Sequence, residues 1–428
     1  MTRRILYLLL FITASCSISA ENTYERKDSL VLDSLGNVIR KYKQTDKKIL
    51  KPFYNLYNFM ANSNKMQDKK YDGGFVCGPS YNVQTSFSVG GAYTALYSFD
   101  HNDSTLQKSV LACFFNISVK GNAAVGVEGS NYMKHDKMRW HYEVMFQHNP
   151  AQFWGKGYDN GCNDDRMIKY NQLMLNVKFN WTWRLAKNLY AGPALDFMLT
   201  NTFKHERNKI PVYNPDGTRR VDADGEPLNQ SMQEMMIEDG IGEQPQSLST
   251  AGFGFDIAYD SRDFGMNAYR GFYARALQLY FPNGINKYGF WSTELDFRHY
   301  IPVWKKCILA MQVHTLLNYG TDVMPWTRMA SPGRRGCLRG YYYGQYRDNN
   351  LVDAQIELRQ RLKWRLGLVG WVGMGNVFHD FKSFSWKHTL PNYGIGVRWE
   401  FKPRMNIRLE YGFTRSGGSV VFNMGEAF

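Results

Sequence analysis

The residues best placed to do binding chemistry in this chain are Arg339 and Glu357. Arg339 lies in the run Cys337-Leu338-Arg339-Gly340-Tyr341, inside 331–346, a stretch rich in Gly, Arg and Tyr. A guanidinium presents a planar fork of donors that matches a carboxylate, so one Arg can pin a loop to a wall by a charge-assisted, bidentate pair. The wall is offered directly downstream, because residues 351–362 alternate. Asp353, Gln355, Glu357, Arg359 and Arg361 face one way; Ala354, Ile356, Leu358 and Leu362 face the other, with Gln360 breaking the pattern. A strand charged on one face and apolar on the other separates water from something oily. Glu357 then sits on the wet face, within reach of Arg339. The bland alternative is a solvated surface arginine, which contributes little.

Other chemistry is hard to find. There is no Gly-x-Ser-x-Gly elbow, no His-Glu-x-x-His helix and no phosphate-cradling glycine loop. His148-Asn149 is the one pair compatible with a Ser-His-Asn hydrolase on a barrel wall, and no Ser is placed with it. The remaining histidines read as lumen or interfacial residues. The sequence therefore points to a protein without enzymatic activity, and with no cofactor and no metal. After removal of a leader carrying Cys16, five cysteines remain (Cys77, Cys113, Cys162, Cys307, Cys337), at spacings that match no metal or redox motif. Cys162 and Cys337 fall in two long loops and are the pair that could bridge.

The elements that position Arg339 and Glu357 follow from patterning. Residues 1–20 carry a basic start, a short apolar run and a small-residue cleavage site, the design of a secretory signal peptide. No later segment reaches the ~20 apolar residues of a spanning helix. Residues 21–70 are polar and Lys-rich, read as a short periplasmic segment with a helix near 49–60. From residue 71 to 428 the chain alternates in blocks separated by turn residues, as transmembrane strands do. In one block Leu173, Leu175, Val177, Phe179 and Trp181 oppose Gln172, Asn176, Lys178 and Asn180. In another Met405, Ile407, Leu409, Tyr411 and Phe413 oppose Asn406, Arg408 and Glu410. Sixteen strands fit, near 72–81, 85–98, 108–120, 122–133, 138–148, 168–183, 189–203, 248–259, 271–282, 287–301, 305–318, 350–363, 366–378, 391–401, 404–414 and 418–428. The fold class is all-β: a 16-stranded antiparallel transmembrane β-barrel with both termini in the periplasm. Long connections (149–167, 204–247, 319–349, 379–390) fall on one side and short ones on the other. That is the asymmetry of external loops and periplasmic turns, and it places Arg339 on the sixth external loop. A short helix near 231–238 interrupts the largest loop.

The chain is basic, with formal charge +14, and 15% of its residues are aromatic. After export nucleic acid is excluded as a partner; Lys and Arg on loops suit lipopolysaccharide phosphates, and Trp and Tyr suit interfacial girdles.

Arg339-Gly340-Tyr341 resembles the Arg-Gly-aromatic motif of the sixth external loop in the BamA/TamA surface-antigen superfamily of outer-membrane barrels. Tyr259-Asp260-Ser261-Arg262-Asp263 followed by Tyr269-Arg270-Gly271-Phe272 resembles that family's periplasmic turn and next strand, without its usual Pro. Asn149-Pro150-Ala151-Gln152-Phe153-Trp154-Gly155-Lys156-Gly157 is a weaker echo. No POTRA repeat precedes the barrel, so the match is to the branch lacking those domains. The resemblance implies that Arg339 locks onto the barrel wall through Glu357 and a second carboxylate. The family's Asp on the thirteenth strand is missing, since Gly373-Met374-Gly375-Asn376 stands there; Glu410 is another luminal choice. It implies a turn motif at Asp260, Arg262, Asp263 and Gly271. Phe428, with Phe422 and Met424 before it, looks like a C-terminal barrel signal, from which Glu426 departs. The implied function is assistance in inserting or exporting proteins or lipids at the bacterial outer membrane, with outer-membrane lipids, lipopolysaccharide and other outer-membrane proteins as partners. An accessory scaffold barrel and a passive pore are the rival readings.

Overall fold

A computed structural model of the chain describes residues 30–32, 38–41, 50–51, 71–82, 86–99, 106, 108–321, 323–333, 336, 338–362, 365–402 and 404–428. The expected signal peptide, Cys337 and nearly all of the helix expected near 49–60 lie outside the described residues. The chain divides into two units, residues 1–64 and 65–428. In the first, β1 (Leu30–Leu32) and β2 (Val38–Lys41) form an antiparallel hairpin.

The second unit is one 16-stranded sheet in which every strand pairs antiparallel with its sequence neighbour. The first eight strands are β3 (Tyr71–Asn82), β4 (Ser86–Tyr97), β5 (Ser109–Ser118), β6 (Ala123–Tyr132), β7 (Met138–Phe153), β8 (Ile168–Ala186), β9 (Leu189–Phe203) and β10 (Ser247–Asp260). The second eight are β11 (Gly271–Phe281), β12 (Phe290–Trp304), β13 (Cys307–Tyr319), β14 (Asn350–Arg361), β15 (Leu366–Phe378), β16 (Leu390–Lys402), β17 (Met405–Thr414) and β18 (Gly417–Met424). The sheet curls until β3 and β18 lie side by side, with Cα atoms within 8 Å. Among the described residues no hydrogen-bonded ladder joins those two strands.

Period-2 alternation decides the two faces. On β14, Glu357 is fully buried while its neighbour Ile356 is 47% exposed. The same holds around the sheet: Leu195, Phe255, Val372 and Ile395 point outward and are exposed. Such a continuous apolar band far exceeds the patches tolerated on soluble monomers. It is the surface a barrel turns to lipid. No helix among the described residues is long and apolar enough to cross a membrane; the strands are the crossing elements.

Two strand ends differ most from the sequence reading, and β12 is displaced by three residues from the expected 287–301. β7 runs on to Phe153, because residues 149–153 pair with 168–172 of β8 instead of starting a loop. Ala151 and Phe153 thereby enter an apolar cluster under the long loops. At the other extreme β18 stops at Met424, paired with Ile407, four residues before Phe428. The Gly425 amide still bonds the Asn406 carbonyl at 2.8 Å, and the chain then turns inward.

The long loops build a cap with its own core. Helix α1 (Met232–Glu238) starts at Ser231, whose side chain and that of Glu234 cap each other's backbone amides. This reciprocal box satisfies two of the amides a helix start leaves open. Met232, Met235, Met236 and Ile241 pack on Phe153, Ile168, Tyr170 and Trp326. Apolar side chains from two loops and the strand rims thus cover the long-loop end of the sheet.

Candidate functional site

Loop six (320–349) drops from β13 into the interior and returns to β14. Its two limbs are zipped by reciprocal backbone bonds between Ala330 and Asp348. At its tip Gly340 adopts φ +106°, and a Cβ there would meet the Gly412 carbonyl at 2.9 Å. Conversely, a Cβ on Gly412 would stand 2.5 Å from the Arg339 carbonyl. The loop backbone therefore lies directly on the backbone of β17, an approach that two glycines make possible. Asn392 of β16 donates to the Arg339 carbonyl, and Tyr341 donates to the Pro391 carbonyl at 2.8 Å.

This approach aims the Arg339 guanidinium at the inner wall. Nη2 lies 2.6 Å from Glu357 Oε2 and Nη1 lies 2.6 Å from Glu410 Oε1. The ring of Trp371 covers the guanidinium, its centroid 3.8 Å from Cζ, a cation–π contact. Three more arginines complete the cluster. Arg398 bridges Glu410 at 2.7 Å and Glu357 at 3.4 Å. Arg359 bonds Glu357 at 2.7 Å, and Arg408 reaches Glu410 at 3.3 Å. Glu426, beyond the last strand, meets Arg398 Nε at 2.9 Å. All of these side chains are buried. Gly373-Met374-Gly375 of β15 offers no carboxylate to Arg339, and Asn376 of the same strand bonds the Ser385 carbonyl. Glu410 supplies the second carboxylate from β17.

The turn motif forms a second charged site at the short-turn end. Asp260 ends β10 and binds Arg262 Nε at 2.9 Å and Arg139 Nη1 at 3.0 Å. Asp263 accepts from the Tyr269 amide at 2.9 Å and pairs with Arg404 at 2.8 Å. Gly271 has φ +114°, and a Cβ there would strike the Ser261 carbonyl at 2.4 Å. The motif thus folds 264–270 across the barrel mouth, with Arg404 stacked over Tyr269 at 3.4 Å.

Phe422 pairs with Leu409 in the ladder, whereas Phe428 leaves it and buries its ring inside, against Tyr300. His148 and Asn149 diverge: one bonds the Gly121 carbonyl, the other Asn122. Among the described residues no group of three or more His, Cys, Asp or Glu side chains could hold a metal. Cys113, Cys162 and Cys307 are free. The sequence reading missed Arg398, Arg408, Glu426, Trp371 and Arg139 as site residues. For Arg398 and Arg408 the signal was present, since both sit on the wet face of alternating strands.

The cap carries a charged cluster outside the membrane-spanning strands. Asp239 accepts from the Lys156 amide and from Asn160, both at 2.9 Å, and pairs with Arg166 at 2.6 Å. Burial nevertheless raises its carboxyl above the usual range, against the pull of those donors. Burial likewise raises Asp348 of loop six.

Against known families, residues 116–428 match the model of the Omp85 superfamily domain. The chain belongs to the Omp85 superfamily. Omp85 proteins are barrels of the outer membrane, and the 16-stranded sheet with its apolar outer face is this protein's version of that barrel. Among solved structures it is similar to BamA from Haemophilus ducreyi lacking POTRA domains 1–3, at 13% identity and a TM-score of 0.48, over 83% of this chain and 69% of that one. It is also similar to CdiB from Acinetobacter baumannii (11% identity, TM-score 0.47, 83% of this chain, 60% of that one). CdiB from Escherichia coli gives 8% identity and a TM-score of 0.45 over 87% of this chain and 71% of that one. No curated protein matches the chain.

Proposed function

We propose that this Omp85 barrel assists the insertion or export of proteins or lipids at the outer membrane, without enzymatic chemistry. In this reading residues 1–20 are a leader and 21–70 a short periplasmic segment. The observation that carries it is the seam. β18 and β3 are neighbours without a ladder among the described residues. Each therefore keeps an edge of unpaired amides and carbonyls, a template on which an incoming strand can pair. Gly73, Gly74, Gly78 and Pro79 of β3 and Gly417 and Gly418 of β18 weaken any pairing between them. Loop six, held by Arg339, Glu357 and Glu410, keeps the wall beside that edge, β14 to β17, in shape. Clients and lipid headgroups, lipopolysaccharide among them, are the partners such an edge would meet.

The test is covalent closure of the seam. Cysteines at Gly74 and Val420, oxidised to a disulfide, are expected to abolish client insertion in reconstituted vesicles and reduction to restore it. Full activity with the seam bonded shut sinks the reading. A passive pore is the rival that loop six, seated on the inner wall, disfavours, and bilayer conductance separates the two.

A further inference from the structure

Residues 425–428 meet the inner wall with three different chemistries in succession. Glu426 takes the Arg398 guanidinium at 2.9 Å and the Asn406 amide at 2.5 Å, with Arg359 Nε 3.7 Å away. Its side chain is 1% exposed. Ala427 presents its carbonyl to loop six so closely that a Cβ on Gly336 would sit 2.3 Å from it. Phe428 lays its ring beside Tyr300 and Arg359, the latter's Cζ 5.1 Å from the ring centroid. Arg359 Nη2 also donates to the Phe428 carbonyl at 3.1 Å. Ile308 and Ala310 complete the apolar seat.

The seat does not depend on the tail for its shape. Arg359 and Arg398 are already oriented by Glu357 and Glu410. Taking Glu426 away leaves four buried guanidiniums, those of Arg339, Arg359, Arg398 and Arg408, facing two carboxylates. Uncompensated buried charge is strongly unfavourable, so an emptied seat draws an anion. The ring slot beside it selects an aromatic, and the burial of Ala427 in the cluster with Ile308 and Ala310 favours a small residue between the two.

We propose that this part of the inner wall is a recognition site for an acidic–small–aromatic peptide segment. In this structure it is filled by the chain's own residues 426–428. Because those residues continue β18 and touch loop six, their seating holds both the seam strand and the loop against the wall. The inference stands on this geometry alone and is independent of the proposed insertion activity.

The experiment is hydrogen exchange by mass spectrometry on the purified full-length barrel in dodecyl maltoside. Glu426→Gln and Phe428→Ala are each expected to raise exchange in 417–424 and 338–346 by about tenfold or more, as loss of one charge-assisted or packed contact requires. β7–β9, which the tail does not touch, should stay unchanged. Exchange equal to wild type in both segments, or a uniform rise across all strands, overturns the proposal. A chain ending at Met424 is then offered a labelled Gly-Glu-Ala-Phe peptide. Binding to this chain alone assigns the site to its own tail; binding to the intact chain as well means an outside segment displaces the tail. Binding to neither overturns the proposal, as does equal binding of the same peptide with Gln in place of Glu. Should the shortened chain fail to fold, the two point variants decide.

Discussion

Arg339 and Glu357 look like a symmetric pair, and their deletion should not be symmetric. With Arg339 gone, Arg359, Arg398 and Arg408 still face Glu357, Glu410 and Glu426, so buried charge stays balanced. With Glu357 gone, four guanidiniums share two carboxylates, and Arg359 loses its 2.7 Å partner. Breaking a buried pair costs roughly 3–5 kcal/mol when a charge is left uncompensated. Glu357→Ala is therefore expected to lower barrel stability by about that much, and Arg339→Ala by clearly less. Urea unfolding of the refolded barrel in micelles measures both, and a larger loss for Arg339→Ala contradicts the charge argument. Gly412→Ala tests the backbone contact separately. The added methyl meets the Arg339 carbonyl at 2.5 Å, so loop six must lift, at about 1–3 kcal/mol. Exchange in 338–346 should rise while β17 stays protected. Glu357 was legible in the sequence because alternation assigns it to the wet face. Glu410 was legible only as one luminal candidate, and the part played by Arg398 was not, because the cluster joins strands whose proximity exists only once the sheet has curled.

The cap is where single elements can be tested. Ser231 caps α1 through its hydroxyl and Glu234. Ser231→Ala should cost about 1 kcal/mol. The loss should appear as faster exchange confined to 232–238. Two buried carboxyls of the cap, Asp239 and Asp348, contribute a pH dependence of known sign. Asp239 and Asp348 have folded values raised above their unfolded ones by burial, so the folded cap binds protons more readily than the open one. Its stabilisation is complete below the ordinary carboxylate range and is lost as pH rises through the raised folded values. Read as the difference between wild type and Asp239→Asn, with exchange in 154–166 and 231–246 corrected for intrinsic rates, wild type is expected to gain protection relative to the variant as pH falls from 7.5 to 5. The helix itself was readable from its capping residues. The extension of β7 to Phe153 was hidden, because Asn149-Pro150 reads as a turn until β8 supplies partners for 149–153.

At the scale of the whole molecule, the interior is occupied from both ends, by loop six and the cap at one mouth and by 264–270 with the tail at the other. Wild-type barrel in a planar bilayer should therefore conduct little, and a variant with 331–346 replaced by a short glycine linker should conduct steadily. Large open conductance in the wild type would favour the passive pore. The sequence by itself determined the antiparallel order of sixteen strands, the side each residue faces and the long-loop asymmetry. These depend on local periodicity and turn residues, which need no distant partner. It also exposed Arg339 and Glu357 through one motif and one strand. Only the tertiary structure decided which carboxylates Arg339 meets, that Glu426 joins them, and that residues 425–428 turn inward instead of prolonging β18. Those outcomes depend on which wet-face side chains converge across a closed interior. That convergence follows from the curl and register of the whole sheet, and buried charges settle only where their counter-charges already stand.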